Sequence, residues 1–268
     1  MSGACDMEGR QGELWRRLGE VNDPELDESV VSMGFVESAT LAEDGSVSVE
    51  FRLPTYWCSP NFAFLMLEDL RTALNRLSWQ PRYEITLLDH LMGEEINAAL
   101  AAGQSFDEIV GKLAPDADIR GLRVTFTMKA FKRRQEAVLL ALRAQGLADP
   151  AIIAVNQAAL LRLGQEYVAL GPLVSRYAAA FVGRFPLASA DEPAFLSWDG
   201  EPVRLEALPR YMGELRAVRI NMEFNGALCR GLKHSRYKEV ARTDDGPTLA
   251  DFILGQVAKD APRDEQRQ

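Results

Sequence analysis

The spacing of hydrophobic and polar positions changes several times along the chain, and each change predicts an element. Leu14, Trp15, Leu18 and Val21 fall on one face of a helix over 13–21. Asn22-Asp23-Pro24 ends it, because a residue before proline is pushed out of the helical region. From Phe35 to Leu41 the pattern is strand-like, Asp44-Gly45 is a tight-turn signal, and Val47, Val49, Phe51 and Leu53 alternate inward, which predicts a β-hairpin. The apolar stretch 61–77 predicts a helix capped by Ser59 or Asn61. Residues 82–88 alternate again as a third strand, and 94–102 reads as helix. Ser105-Phe106-Asp107-Glu108 has the spacing of a capping box, opening a short helix that ends at Gly111. Helix, two strands, helix, strand, helix is an α+β arrangement, assigned to 12–112.

Residues 113–121, polar and interrupted by Pro115, read as a join to a second, mainly helical domain over 122–258. In it, 129–145 is an amphipathic helix with a basic start at Lys129, Lys132, Arg133 and Arg134. Asp149-Pro150 opens another, as a capping residue followed by proline does, and 173–185 gives a third. A small hairpin is predicted at 194–204 around Trp198-Asp199-Gly200. Residues 206–237 read as helix with a break near Asn225-Gly226, 248–258 as a last short helix, and 259–268 as a frayed tail.

Composition narrows the functional classes. With 268 residues, 47% of them hydrophobic, the chain can build sizeable cores, while a net charge of -9 argues against a nucleic-acid binder. No run of ~18 apolar residues occurs, so no membrane span is expected. The polar stretch Met1–Gly12 lacks an export signal's apolar region. Cys5, Cys58 and Cys229 lie far apart with no C-x-x-C pair, which suggests neither a disulfide framework nor a self-contained zinc site and fits a reducing cytoplasm. There is no P-loop, dinucleotide fingerprint or nucleophile elbow. With only His90 and His234 present, a thiol enzyme would have to pair Cys58 with His90.

The most informative stretch is Phe51-Arg52-Leu53-Pro54-Thr55-Tyr56-Trp57-Cys58-Ser59-Pro60, where a strand stops, one thiol is presented, and a helix begins. A thiol just before a helix N-terminus sees the positive end of the macrodipole, which favours the thiolate that binds soft metals or attacks electrophiles. A small buried residue closing a loop is the competing reading. Around it stand, in order, Asp23-Pro24-Glu25, Met33-Gly34-Phe35-Val36, Asp44-Gly45, Thr55, Cys58-Ser59, and then His90 and Asn97, seven apart after the last strand.

This ordered set resembles the metal–sulfur cluster assembly domain of SufT-like and PaaD-like bacterial proteins and of a eukaryotic cytosolic iron–sulfur assembly factor, over about residues 12–103. The chain departs from that pattern in the loop. Pro54 stands where the threonine is usual and Thr55 follows it, Tyr56-Trp57 replaces Pro-Gly or Pro-His, and Ser59 replaces the bacterial proline. The resemblance implies an accessory factor that receives or delivers an iron–sulfur cluster or iron, with Cys58, Thr55, Asp23, Glu25, His90 and Asn97 as site residues and Cys58 and His90 as metal ligands. The PaaD-like branch implies a multicomponent iron oxygenase as a client.

One cysteine cannot hold a cluster, which normally takes four protein ligands, so a homodimer, a client metalloenzyme, another assembly protein or a transient bridged state would supply the rest. A non-catalytic adaptor using the same fold stays open beside this reading, as does the Cys58–His90 thiol enzyme. Asp23 and Glu25 also read as turn and helix caps, and Thr55 as a loop hydrogen-bonder. Cys229 and His234 could complete a four-ligand site with Cys58 and His90 if the two domains pack suitably. Arg216, Arg219, Arg230, Lys233, Arg236 and Lys238 read as a solvated helix face or as a surface for an acidic partner.

Overall fold

The computed structural model describes residues 2–113 and 118–237. The chain opens with α1 (Ser2–Gly19), which starts well before the apolar face that predicts it. Asn22–Asp23 (β1) and Glu28–Ser29 (β2) then pair antiparallel as a two-residue ladder, too short to leave a period in the sequence. β3 (Val36–Leu41) and β4 (Val47–Arg52) form the expected hairpin, with Gly45 at φ +82 in the turn. Val47, Val49, Phe51 and Leu53 are at most 2% exposed, so the alternation does mark the buried face.

α2 (Pro60–Asn75) crosses over to β5 (Tyr83–Leu88), which pairs parallel to β4, giving the sheet order β3-β4-β5. Ser59 occupies the α2 cap position without a side-chain bond, and Pro60 is the first helical residue. α3 (Gly93–Ala101) and α4 (Phe106–Leu113) follow, and the capping box before α4 is formed in both directions. Ser105 N–H and Oγ donate to Glu108, and Glu108 N–H donates back to Ser105 Oγ. One apolar cluster, from Leu14 to Ile109, joins α1, the sheet and α2. The α+β class read from the sequence is the one observed.

The remainder is helical: α5 (Ile119–Ala144), α6 (Asp149–Ile153), α7 (Gln157–Glu166), α8 (Gly171–Arg184) and α9 (Leu208–Tyr237), with a 3-10 turn at 205–207. A second apolar cluster runs from Phe131 to Leu215. Inside it, buried Gln135 donates to Tyr177 Oη and to the Leu196 carbonyl, which satisfies its amide N–H groups. The predicted hairpin at 194–204 is a single bridge, Leu196 to Pro202, closed by Gly200 at φ +90. The predicted helix 248–258, the tail 259–268, and Pro115-Asp116-Ala117 of the predicted join lie outside the described residues.

Two predicted boundaries are corrected. α5 begins ten residues before 129 because it bridges both cores: Phe126 meets Phe62 of α2 at 5.4 Å, while Phe131, Val138 and Leu142 enter the second cluster. α9 runs unbroken through Asn225-Gly226. A glycine inside a helix costs about 1 kcal/mol relative to alanine, and here tertiary contacts override it. Asn225 donates to Glu25, and Arg230 lies against Gly226.

Candidate functional site

The Cys58 loop is built by the end of β4 and the start of α2. Leu53 is the last inward residue of the strand, Pro54 stops the ladder, and Cys58 N–H donates to the Thr55 carbonyl at 3.2 Å, closing a turn. Thr55 is buried, and its hydroxyl lies 3.1 Å from the Cys58 Sγ. That hydroxyl can donate to the sulfur when the sulfur is ionised. Cys58 is half-buried, two residues before α2 begins. Beside it Trp57 is 70% exposed and Leu91 59% exposed, and Leu91 N–H donates to the Tyr56 carbonyl. Leu91 does not stand out in the sequence and Trp57 does so only as part of the Tyr56-Trp57 departure in the loop; their exposure marks them as a rim.

His90 is brought to the loop, but not as a free ligand. Met92 N–H donates to its Nδ1 at 3.2 Å, so that nitrogen carries no proton; Nε2 therefore holds the ring proton and donates to the Cys58 carbonyl at 2.9 Å. Both nitrogens are spent on backbone, and the ring pins the thiol's peptide in place. Against the expectation that His90 offers a metal a lone pair, it is a positioning residue in this arrangement. Asn97, on α3, is occupied in the same manner. Its Oδ1 accepts from Leu87 N–H at 2.8 Å and its Nδ2 donates to the Leu87 carbonyl at 2.9 Å, standing in for a neighbouring strand at the edge of β5.

Asp23 is 7% exposed and caps the turn between β1 and β2, its Oδ1 accepting from Glu25 N–H at 2.9 Å and Leu26 N–H at 3.0 Å. Burial pushes its carboxyl up from 3.8 to about 6; the two amides oppose this, and the negative charges of Glu25 and Glu28 add to it. Glu25 accepts from Asn225 of α9 at 3.0 Å. Asp27, which the sequence reading passed over, is 4% exposed and holds the left-handed conformation at φ 52. It accepts from Arg134 of α5 and Arg176 of α8, while Arg133 donates to the neighbouring Leu26 carbonyl. The signal for it was the basic start of the predicted 129–145 helix, whose partner is this loop.

α9 crosses the same region. Arg230 donates to Glu28 at 2.7 Å, Lys233 to the Gly34 carbonyl, and Arg236 to Asp89 at 2.7 Å. Arg236 also lies over the Tyr56 ring, 5.8 Å from its centroid. Gly34 sits at φ +67, a backbone conformation that L side chains rarely adopt, which accounts for glycine at this place in the Met33-Gly34-Phe35-Val36 motif. The basic residues Arg219, Arg230, Lys233 and Arg236 thus find acidic or carbonyl partners within the chain, Arg219 through Glu136. Lys238 lies outside the described residues.

Cys229 is carried on this face of α9, half-buried, and packs with Cys58 against the first apolar cluster. Burial first, then the negative charges of Asp23, Cys58 and Glu25, push its thiol up to about 11, with Arg230 opposing. His234 stays exposed. The four-ligand arrangement is not formed: among the described residues no three histidine, cysteine, aspartate or glutamate side chains are grouped to hold a metal ion.

A strand-to-helix bend with one half-buried thiol and a hydroxyl on its sulfur lies within a segment that resembles known proteins. Residues 12–86 match the iron–sulfur cluster assembly protein family. The matched segment carries Asp23, Glu25, Thr55 and Cys58, and its role is one related to iron–sulfur cluster assembly. It stops short of His90, Asn97 and all of α5 to α9. No curated protein and no solved structure matches the chain. Among the described residues no helix is long and apolar enough to cross a membrane.

Proposed function

We propose that the protein is an accessory factor of iron–sulfur cluster or iron-centre assembly in a reducing cytoplasm, which carries its cargo on the Cys58 thiolate and passes it to a client metalloenzyme. The observation that carries this reading is the half-buried Cys58 sulfur in hydrogen-bond contact with Thr55, inside the segment that matches the assembly family. Thiolate is the protein ligand that iron–sulfur clusters take, and a hydroxyl donating to that sulfur tempers its charge without blocking it. Exposed Trp57 and Leu91 give a client an apolar surface beside the thiol. The helical part, which lies outside the family match, would recognise the client, for which a multicomponent iron oxygenase is the class favoured by the resemblance. The remaining cluster ligands come from outside the Cys58 loop, since Thr55, His90 and Asp23 are committed to local bonds.

Anaerobic reconstitution with iron and sulfide, comparing wild type with Cys58→Ala, tests this. Wild type should gain visible absorbance and bound iron that the variant lacks, and equal iron in both would end the carrier reading. A docking module that binds no metal is the second reading, favoured by the backbone bonds that occupy both nitrogens of His90 and the side-chain amide of Asn97. It predicts no iron in either protein.

A further inference from the structure

α9 extends well past the second apolar cluster, which ends at Leu215 of that helix, and its last turns lie on the first domain. Asn225, Cys229 and Arg236 stand four and seven residues apart, so they share one face over about three turns. The two outer members are anchored on two different parts of the first domain. Asn225 holds Glu25 of the acidic turn. Arg236 holds Asp89, next to the His90 that grips the Cys58 carbonyl, and covers Tyr56, two residues before Cys58. Between these anchors Cys229 is turned toward the first domain, half-buried in the same apolar cluster as Cys58.

We infer that Cys58 and Cys229 form a two-thiolate half-site for a soft metal ion or iron–sulfur cluster, with α9 supplying the second sulfur that the Cys58 loop lacks. This rests on the reading of Cys58 as a cargo ligand. The donor chemistry fits: two sulfurs lie in a partly dry setting, with the carboxylates of Asp23 and Glu25 close enough to act electrostatically on Cys229. As each sulfur–metal bond forms, its thiol releases a proton to solvent. Two ligands leave half of an ordinary four-ligand shell open, which suits cargo that must be handed on, since the receiving protein can fill the open positions before the two sulfurs let go.

The test uses the full chain with Cys5→Ala in every sample, so that only two thiols remain. Anaerobic titration with Co(II), read as thiolate-to-metal charge-transfer absorbance, should show a band that falls by about half in Cys58→Ala or Cys229→Ala and vanishes in the double variant. The same samples reconstituted with iron and sulfide should lose bound iron in each single variant. If Cys229→Ala keeps the wild-type cobalt band, or keeps wild-type iron while Cys58→Ala loses it, the half-site is refuted and the Cys58 carrier stands. A two-thiolate cobalt band with no iron uptake in any sample upholds the sulfur pair and removes the iron-carrier reading. Folding of each variant is checked by circular dichroism, and Cys229→Ser provides a second substitution of nearly unchanged volume.

Discussion

Replacing Asp23 by asparagine should make the protein more stable at neutral pH. The carboxyl is 7% exposed, and burial lifts it from 3.8 to about 6. A carboxyl raised on folding binds protons more tightly in the native state, so stability falls as pH rises between the two values and stays lowered above the upper one. At about 1.36 kcal/mol per pH unit, the gap between 3.8 and about 6 corresponds to about 3 kcal/mol of native-state cost at pH 8. Asparagine keeps the oxygen that accepts from Glu25 and Leu26 N–H, and it removes a negative charge beside Glu25 and Glu28. The variant should therefore gain about 1–3 kcal/mol at pH 8, shrinking to about 0.5 kcal/mol at pH 4, where the wild-type carboxyl is protonated when folded. Urea unfolding followed by circular dichroism at pH 4, 6 and 8 measures this. A variant no more stable than wild type at pH 8, or a gain that is the same at pH 4, refutes the burial argument. The same change removes a negative neighbour of Cys229, so that thiol should ionise at lower pH and be alkylated faster at pH 8.

Other perturbations separate positioning from ligation. His90→Ala leaves the Cys58 carbonyl and Met92 N–H without their partner and should cost about 1–3 kcal/mol, with faster alkylation of Cys58; an unchanged alkylation rate would show that the ring does not hold the loop. Asn97→Ala strips both polar groups of Leu87 and should lower stability by about 1–3 kcal/mol in urea, whereas Asn97→Asp, which keeps only the acceptor, should lose part of that. Asp27→Ala leaves Arg134 and Arg176 without their shared carboxylate and should cost about 3 kcal/mol; a loss below about 1 kcal/mol would mean the loop is not braced by that pair. Arg236→Ala, which frees Tyr56 and Asp89, should cost less than about 1 kcal/mol because the pair is partly exposed, yet raise Cys58 alkylation severalfold.

Parts of this architecture whose causes are local were legible in the sequence. The period-two run through Val47, Val49, Phe51 and Leu53 follows from one face of β4 being buried, and Asp44-Gly45 turns the hairpin because a positive φ is needed there. The Ser105–Glu108 box states its own helix start. α5 left no single apolar stripe before 129, since Phe126 faces one core and Phe131 the other. A ladder of two residues a side, β1 with β2, has no period to detect. At the site, Thr55 and Cys58 were readable together because they stand three positions apart in one loop, and the spacing of His90 and Asn97 was visible without its reason, which is two side chains bonding to backbone peptide groups.

The arrangement over the Cys58 loop depends on charge more than on apolar pattern, and this explains why it could be read from the sequence only as alternatives. A row of basic residues on a helix is equally consistent with solvent and with an acidic partner, and only the fold decides which. Here the acidic partners belong to the chain's own first domain, with Glu28 taking Arg230, Asp89 taking Arg236, and Glu37 within 3.5 Å of Lys233. Lys233 is 7% exposed, so its ammonium gives up most of its hydration and needs the Gly34 carbonyl and Glu37 to replace it. That demand is directional in a way that apolar packing is not. It fixes the rotation of α9 about its axis, and with it the side from which Cys229 faces the loop that carries Cys58.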